Sequence, residues 1–322
     1  MKILIYGAGA IGCHLAYCLN DNNHITLLAR GQHYREIKKN GLIVKIYNNK
    51  KLLKKKKLLI NENLKIFDDF IKIKNIKYDV VFITVKIKDY NSILINNIKK
   101  IIKPSSAIIT PCTGFSNWWF EKIFNKKNKK GFNIKNVIAM TMWLSSKIEK
   151  PGSICVKHIQ RGYPMKEVNI SSKNKTDFLR KNIKKHCKSP IIKNAESEIY
   201  IKTINAFAFN LVALITGFTN KELKKDADSI KKIKKIMNEF DLIIKSLDIK
   251  IYQSINSRVK QTLMSNEHTM SMLNDFNNRR KIEIKYLWKN LEIFLNLSNR
   301  KAPFTNSLYN LLLKKIKSKN VL

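Results

Sequence analysis

The stretch "KILIYGAGAIGCHLAYCL", Lys2 to Leu19, decides how the rest of the chain is read. An apolar run leads into three closely spaced glycines, and a second apolar run follows. Gly7, Gly9 and Gly12 fit the pattern G-x-G-x-x-G, which alone is weak evidence. Its surroundings give it meaning. Lys2–Tyr6 reads as a short buried strand, Ile11–Leu19 as a helix, and "HITLL" (His24–Leu28) as a second strand, so the glycines fall at the turn of a β-α-β unit. In that position the first glycine allows a tight turn, the second lets backbone approach a pyrophosphate, and the third lets helix and sheet pack closely. The helix start then offers free N–H groups and a positive dipole end to phosphate. The loop Gly7, Ala8, Gly9, Ala10, Ile11 and Gly12 is therefore expected to cradle a dinucleotide.

The end of the second strand bears on which dinucleotide. An Asp or Glu there would hold the ribose hydroxyls of NAD. The sequence instead reads "LLARGQ", with Arg30 and no carboxylate. A guanidinium can grip a 2′-phosphate through paired hydrogen bonds. Lys86, closing the strand "YDVVFITVK", adds a second cation, so NADP(H) is the expected cofactor.

Further along, alternating apolar residues between Gly41 and Ile60 predict a hairpin around "NNKK". "SSAIITPC", "NVIAMTMWLSS" and "GSICVKHI" predict three more strands, the last two joined by a Pro151-Gly152 turn. Strands alternating with helical segments imply a parallel α/β sheet. From about Ser197 strand signals give way to long helical segments, among them "EIYIKTINAFAFNLVALITGF", "SIKKIKKIMNEFDLIIKSL", "RRKIEIKYLWKNLEIFLNL" and "SLYNLLLKKIK". The expected division is a Rossmann-type dinucleotide-binding domain over residues 1–190 and an all-helical domain over 191–322, with no internal repeat.

Composition narrows the function classes. The 63 Lys and Arg against 23 Asp and Glu give a net charge of +40, ordinarily a sign of a nucleic-acid or membrane partner. Here the lysines run along the whole chain beside abundant Ile and Asn, and the clusters at Lys54–Lys57 and Lys126–Lys130 lack interleaved aromatics. They read as solvated faces, and no specific nucleic-acid partner is expected. The five cysteines are scattered singly, and the six histidines show no metal-ligand spacing, so neither a disulfide framework nor a metal site is expected. The apolar run Ala206–Phe218 is too short to span a bilayer and the start shows no signal peptide, so a cytosolic protein is expected.

Together "MKILIYGAGAIG", "LLARGQHYREIKKNGL", "VFITVK", "PGSICVKH", "IKTINAFAFN" and "SMLNDFNNRRKIEI" resemble ketopantoate reductases (2-dehydropantoate 2-reductases), in order over nearly the whole chain to "APFTNSLYNLL". The resemblance implies NADPH-dependent reduction of ketopantoate to pantoate, on the route to pantothenate and coenzyme A. It also implies a helical domain like that of 6-phosphogluconate dehydrogenase, with the active site between the two domains. It places the catalytic lysine on Lys202, a glutamate on Glu283, a carboxylate-binding serine on Ser271 and a substrate-contacting asparagine on Asn220. The implied partner is a small 2-oxo acid, with no membrane and with a homodimer as an open arrangement.

The chain also departs from the family pattern. The asparagine usual four residues after the lysine is Ala206, with Asn205 beside it. Thr113 stands where an asparagine is usual in "PCTGFSNWW", in which Trp118 and Trp119 resemble one branch of the family, and His268 holds a further altered polar position. These changes keep open a reductase of another 2-oxo acid, and the charge keeps open a non-catalytic NADP-binding or nucleic-acid-binding protein.

The chemistry can also be argued from the residues themselves. Reducing a ketone needs a proton donor at the developing alkoxide. Lys202 lies in the apolar run "IYIKTINAFAF", where burial would lower its pKa and suit it to that task. Glu283 could orient the substrate hydroxyl or form a helix-surface ion pair with Lys285 or Arg279. Ser271 could bind a carboxylate or cap a helix.

Overall fold

A computed structural model describes residues 1–48, 51–111, 137–264 and 269–316; Thr113, Trp118, Trp119 and His268 lie outside them. The chain divides into two compact units, one ending at Ala195 and the other beginning at Glu196.

The first unit is built on a seven-stranded sheet in the order β11-β8-β7-β6-β1-β2-β5. Its strands are β1 (Lys2–Tyr6), β2 (His24–Leu28), β5 (Leu64–Phe67), β6 (Tyr78–Ile83), β7 (Ile102–Ile109), β8 (Val137–Met140) and β11 (Met165–Glu167). Six of them run parallel, and only β11 pairs antiparallel, with β8. β1 is an interior strand beside the central β6, with Tyr6 opposite Leu28 on one side and Ile83 on the other. Helices α1 (Ala10–Leu19), α2 (Gly31–Asn40), α3 (Ser92–Ile101) and α4 (Lys173–Lys184) complete the unit. Ile3 and Ile5 face one core and Leu4 and Tyr6 another, as alternation along a strand covered on both faces requires.

A second sheet, in the order β4-β3-β10-β9, was not foreseen as a separate layer. The hairpin expected between Gly41 and Ile60 supplies β3 (Leu42–Asn48) and β4 (Lys51–Leu58), and the Pro151-Gly152 turn joins β9 (Trp143–Lys150) to β10 (Ser153–Gly162). The run "NVIAMTMWLSS", expected as one strand, divides between the two sheets. At the break the Thr141 N–H donates to the Pro164 carbonyl (3.1 Å) and the Trp143 indole N–H to the Thr141 hydroxyl (3.1 Å). β6 likewise ends at Ile83 rather than Lys86, because residues 86–89 close a short 3-10 turn (Asp89 N–H to Lys86 carbonyl, 2.9 Å).

The second unit is helical: α5 (Ala195–Thr216), α6 (Asn220–Lys225), α7 (Ala227–Lys245), α8 (Ile255–Thr262), α9 (Ser271–Asn277), α10 (Ile284–Ser298) and α11 (Pro303–Ile316). The segment "RRKIEI" enters a helix only at Ile284, leaving Glu283 at the N-cap position of α10. Ser197–Thr216, within α5, is long and apolar enough to cross a membrane, unlike the shorter run read from the sequence, but 78% of its most apolar window is buried inside the protein. It is the core helix of its unit. Its ring contacts with α10, Tyr200 to Phe294 (6.2 Å) and Phe207 to Trp288 (5.7 Å), run in opposite directions along the two helices, so the pair is antiparallel.

Candidate functional site

The glycine turn joins β1 to α1. Gly7 takes φ +114°, and a Cβ there would press on Val85 at 2.8 Å. Gly12 has no room either, since a Cβ would collide with the Gly7 carbonyl and meet the Thr84 hydroxyl at 2.8 Å. Gly9 is different: a Cβ there would meet nothing within 4 Å. The open volume above the turn is therefore at Gly9, at the start of α1. The first bond within α1 runs from the Cys13 N–H to the Gly9 carbonyl (2.9 Å), leaving the N–H groups of Ala10, Ile11 and Gly12 without intrahelical partners. Such an end suits a pyrophosphate, and the loop fits a dinucleotide. The N–H groups of Gly7 and Ala8 are held by the Leu28 carbonyl (3.2 and 2.9 Å), and Thr84 Oγ1 donates to the Gly7 carbonyl, so both neighbouring strands fix the loop.

Arg30 is exposed at the N-cap position of α2, two residues past β2. Lys86 is exposed three residues past β6. Because β2 and β6 flank β1 in parallel, both cations rise from the sheet edge that carries the glycine turn. The sequence did not reveal His33. Its Nδ1 accepts from the Gly152 N–H (3.1 Å) and its Nε2 faces Cys13 Sγ (3.5 Å), tying α2 to the β9–β10 turn and to α1. Partial burial lowers its pKa, which favours the neutral ring that can accept from Gly152.

In the second unit, Lys202 and Ala206 are the only residues from Ser197 to Leu214 that are not fully buried. They stand one turn apart, so the core helix opens at a single window. Packing around the Lys202 stem is close enough that desolvation pushes its ammonium down to about 8, against the raising influence of Glu198 one turn earlier. Asn205, on the same side of the helix, is 4% exposed, and neither its amide oxygen nor its nitrogen has a hydrogen-bond partner. Leaving such groups unmatched costs about 1–3 kcal/mol, which a polar ligand at the window would relieve.

Ser271 is the exposed first residue of α9 and not its cap; the N-cap position is Met270. Asn210 takes over the capping task from α5: its Oδ1 accepts from the Met272 N–H at 3.0 Å and its amide donates to the Ala206 carbonyl at 2.7 Å. Ser271 is thus held beside α5, eight residues along from Lys202, about 12 Å at the usual helical rise. The antiparallel pairing carries the start of α10, and Glu283 with it, toward that same end of α5. Asn220 is fully buried, and its amide donates to the Thr262 carbonyl (3.0 Å), linking the start of α6 to the end of α8. The expected contact Thr113 lies outside the described residues. Asn210 was visible in the sequence only as a polar interruption of an apolar run.

Residues 3–163 match the family model for ketopantoate reductase PanE/ApbA, and residues 194–315 match the model for its C-terminal part. The chain belongs to the ketopantoate reductase family. The first match spans the glycine turn, Arg30 and Lys86, and the second spans Lys202, Asn205, Asn220, Ser271 and Glu283. A 2-dehydropantoate 2-reductase from Mesorhizobium japonicum is 22% identical, over 94% of both chains. Among solved structures, a D-mandelate dehydrogenase with NADH and anilino(oxo)acetate superposes with a TM-score of 0.80 at 21% identity, covering all of both chains. A 2-dehydropantoate 2-reductase from Geobacter metallireducens reaches 0.81 at 18% identity, covering 98% of this chain and all of that one. The ketopantoate reductase family assignment makes the chain a dinucleotide-dependent oxidoreductase with a Rossmann-type domain and a helical domain.

Proposed function

We propose that the chain is a cytosolic NADPH-dependent reductase of a 2-oxo acid, with ketopantoate as the substrate and pantoate as the product. The observation that carries this reading is the window on α5: one lysine, with its ammonium lowered to about 8, at the only opening of an otherwise sealed stretch. Bound NADPH supplies the hydride. Gly7 to Gly12 hold its pyrophosphate, and Arg30 and Lys86 meet its 2′-phosphate, the charge that separates it from NADH.

Lys202 stabilises the oxygen of the substrate ketone as negative charge develops there and then gives it the Nζ proton. With its pKa lowered to about 8, Lys202 still carries its proton at neutral pH and gives it up more readily than a surface lysine does. Glu283 orients the substrate hydroxyl, and Ser271 binds the carboxylate at the start of α9. Asn205 offers its unmatched amide to the substrate beside the window, in place of the side chain that Ala206 lacks. Asn220 acts from within the core, by fixing α6 to α8.

A second reading keeps the reaction and changes the acid. The same scaffold serves a D-mandelate dehydrogenase, and Ala206 leaves more space at the window than an asparagine would. NADPH oxidation followed with ketopantoate and a panel of 2-oxo acids, repeated with NADH, tests both. Turnover of ketopantoate with NADPH, lost in Lys202→Ala, is expected. Turnover restricted to other 2-oxo acids moves the protein to a sister activity, and unchanged turnover in Lys202→Ala removes the general acid.

A further inference from the structure

His33 stands in the first turn of α2, three residues after Arg30, and its ring is held at both nitrogens. Because Nδ1 accepts from the Gly152 N–H (3.1 Å), the neutral ring carries its proton on Nε2. Gly152 is itself fixed. Its carbonyl accepts from the Ile43 N–H (2.9 Å), and its φ of +77° seats the turn against α2, where a Cβ would stand 3.1 Å from Glu36. The Nε2–H then has two acceptors before it, Cys13 Sγ at 3.5 Å and the Ala8 backbone. Cys13 Sγ in turn donates to the Ala8 carbonyl (3.4 Å). A chain of donors that starts on the second sheet therefore ends on one carbonyl of the glycine turn.

That carbonyl belongs to the peptide joining Ala8 to Gly9. In a trans peptide the C=O and N–H point in opposite directions, so fixing one aims the other. With the Ala8 carbonyl drawn toward Cys13 and His33, the Gly9 N–H is turned away from both. The other bonds of the turn agree with this. The Gly7 and Ala8 N–H groups are taken by the Leu28 carbonyl, whereas nothing among the described residues accepts from the Gly9 N–H. Gly9 has no Cβ to restrain its φ, so this peptide is the one in the turn most free to flip. Holding it in advance removes an ordering cost that a bound phosphate would otherwise have to meet.

We propose that His33 is a positioning residue for the cofactor: with Cys13 it holds the Ala8–Gly9 peptide so that the Gly9 N–H is presented to the pyrophosphate. It acts through the turn rather than on the ligand. The inference rests on the dinucleotide reading of the glycine turn, and not on which 2-oxo acid is reduced. It also gives the second sheet a task, since the turn between β9 and β10 sets the ring that sets the peptide. The pyrophosphate is common to NADP⁺ and NAD⁺, so disturbing His33 must weaken both alike, unlike a loss at Arg30.

The test is a pair of substitutions read by calorimetric titration with NADP⁺ and with NAD⁺. His33→Asn keeps an acceptor near Nδ1 for Gly152 and removes the donor toward Cys13 and Ala8. His33→Gln returns an amide N–H near the place of Nε2. His33→Asn is expected to weaken both dinucleotides by the same factor, roughly tenfold, the scale of one hydrogen bond to a charged group. His33→Gln should recover most of that affinity, with the same Tm as His33→Asn, whereas a ring that only braced the fold would make affinity follow Tm. In the free protein, imidazole nitrogen NMR shifts should show His33 neutral at neutral pH with its proton on Nε2. A proton on Nδ1, unaltered affinity in His33→Asn, or a loss confined to NADP⁺ overturns the proposal alone. If the unaltered protein binds neither dinucleotide, the reading of the turn fails and this proposal falls with it.

Discussion

Gly9 and Gly12 are three residues apart and answer an added methyl group in opposite ways. At Gly12 the methyl meets the Gly7 carbonyl and the Thr84 side chain, so Gly12→Ala is expected to cost about 1–3 kcal/mol and to lower Tm measurably. At Gly9 it meets open space, so Gly9→Ala should change stability by less than about 1 kcal/mol. It should still weaken NADPH binding roughly tenfold or more, because the methyl occupies the approach to the pyrophosphate. Fluorescence titration with thermal melts separates the two effects. The spacing, set between a strand and a helix, was enough to expect these backbone constraints, because each follows from where the turn sits. Asn205 was harder to read: that an amide is buried without a partner becomes visible only once its surroundings are built. For Lys202 the sign of the pH effect is fixed. If Lys202 is the proton donor proposed above, reduction needs its protonated amine, so kcat should be level below pH 7 and fall as pH rises through about 8. A profile flat to pH 10 would remove Lys202 from the proton transfer.

Helix α5 organises its unit through side chains that the periodicity did not mark. Asn210 both accepts from Met272 and donates within its own helix, so Asn210→Leu leaves the start of α9 without its acceptor. The expected cost is about 1–3 kcal/mol, with faster hydrogen exchange at the N-terminal turn of α9. KM for the 2-oxo acid should rise while NADPH affinity holds, because Ser271 lies on that turn and the cofactor turn lies in the other unit. If KM and exchange stay unchanged, Asn210 does not position Ser271. At this scale the strands β1 and β2 and the core helix were legible from short apolar runs and turn residues. The split between β8 and β9 was not, because a single threonine, Thr141, among apolar residues of "NVIAMTMWLSS" does not mark a break on its own. Only the bond from Thr141 to the distant Pro164 carbonyl shows where one sheet ends.

For the whole molecule, a net charge of +40 sets a self-repulsion that the fold carries everywhere. β4 shows it locally, with Lys54 to Lys57 in succession on an exposed edge strand and Lys55 opposite Lys45. Such an edge resists pairing with another chain, yet it strains the monomer at low salt. Raising NaCl from about 20 to about 200 mM shortens the screening length from roughly 20 to about 7 Å and is expected to raise Tm by several degrees. A Tm that falls or stays level over that range would show that specific ion pairs outweigh the net repulsion. The even spread of lysine also made the charge a poor guide to function, whereas the glycine turn and the C-terminal run "SMLNDFNNRR" stood out against it. The sealed stretch of α5 adds a last consequence, an evolutionary one. A chain with fifty-five lysines accepts them wherever water reaches it. From Ser197 to Leu214 it cannot, and Lys202 is the only lysine there. In descendants of this chain the stretch should be the slowest to gain lysine, so a lysine persisting at position 202 would point to a task rather than to tolerance of the surface.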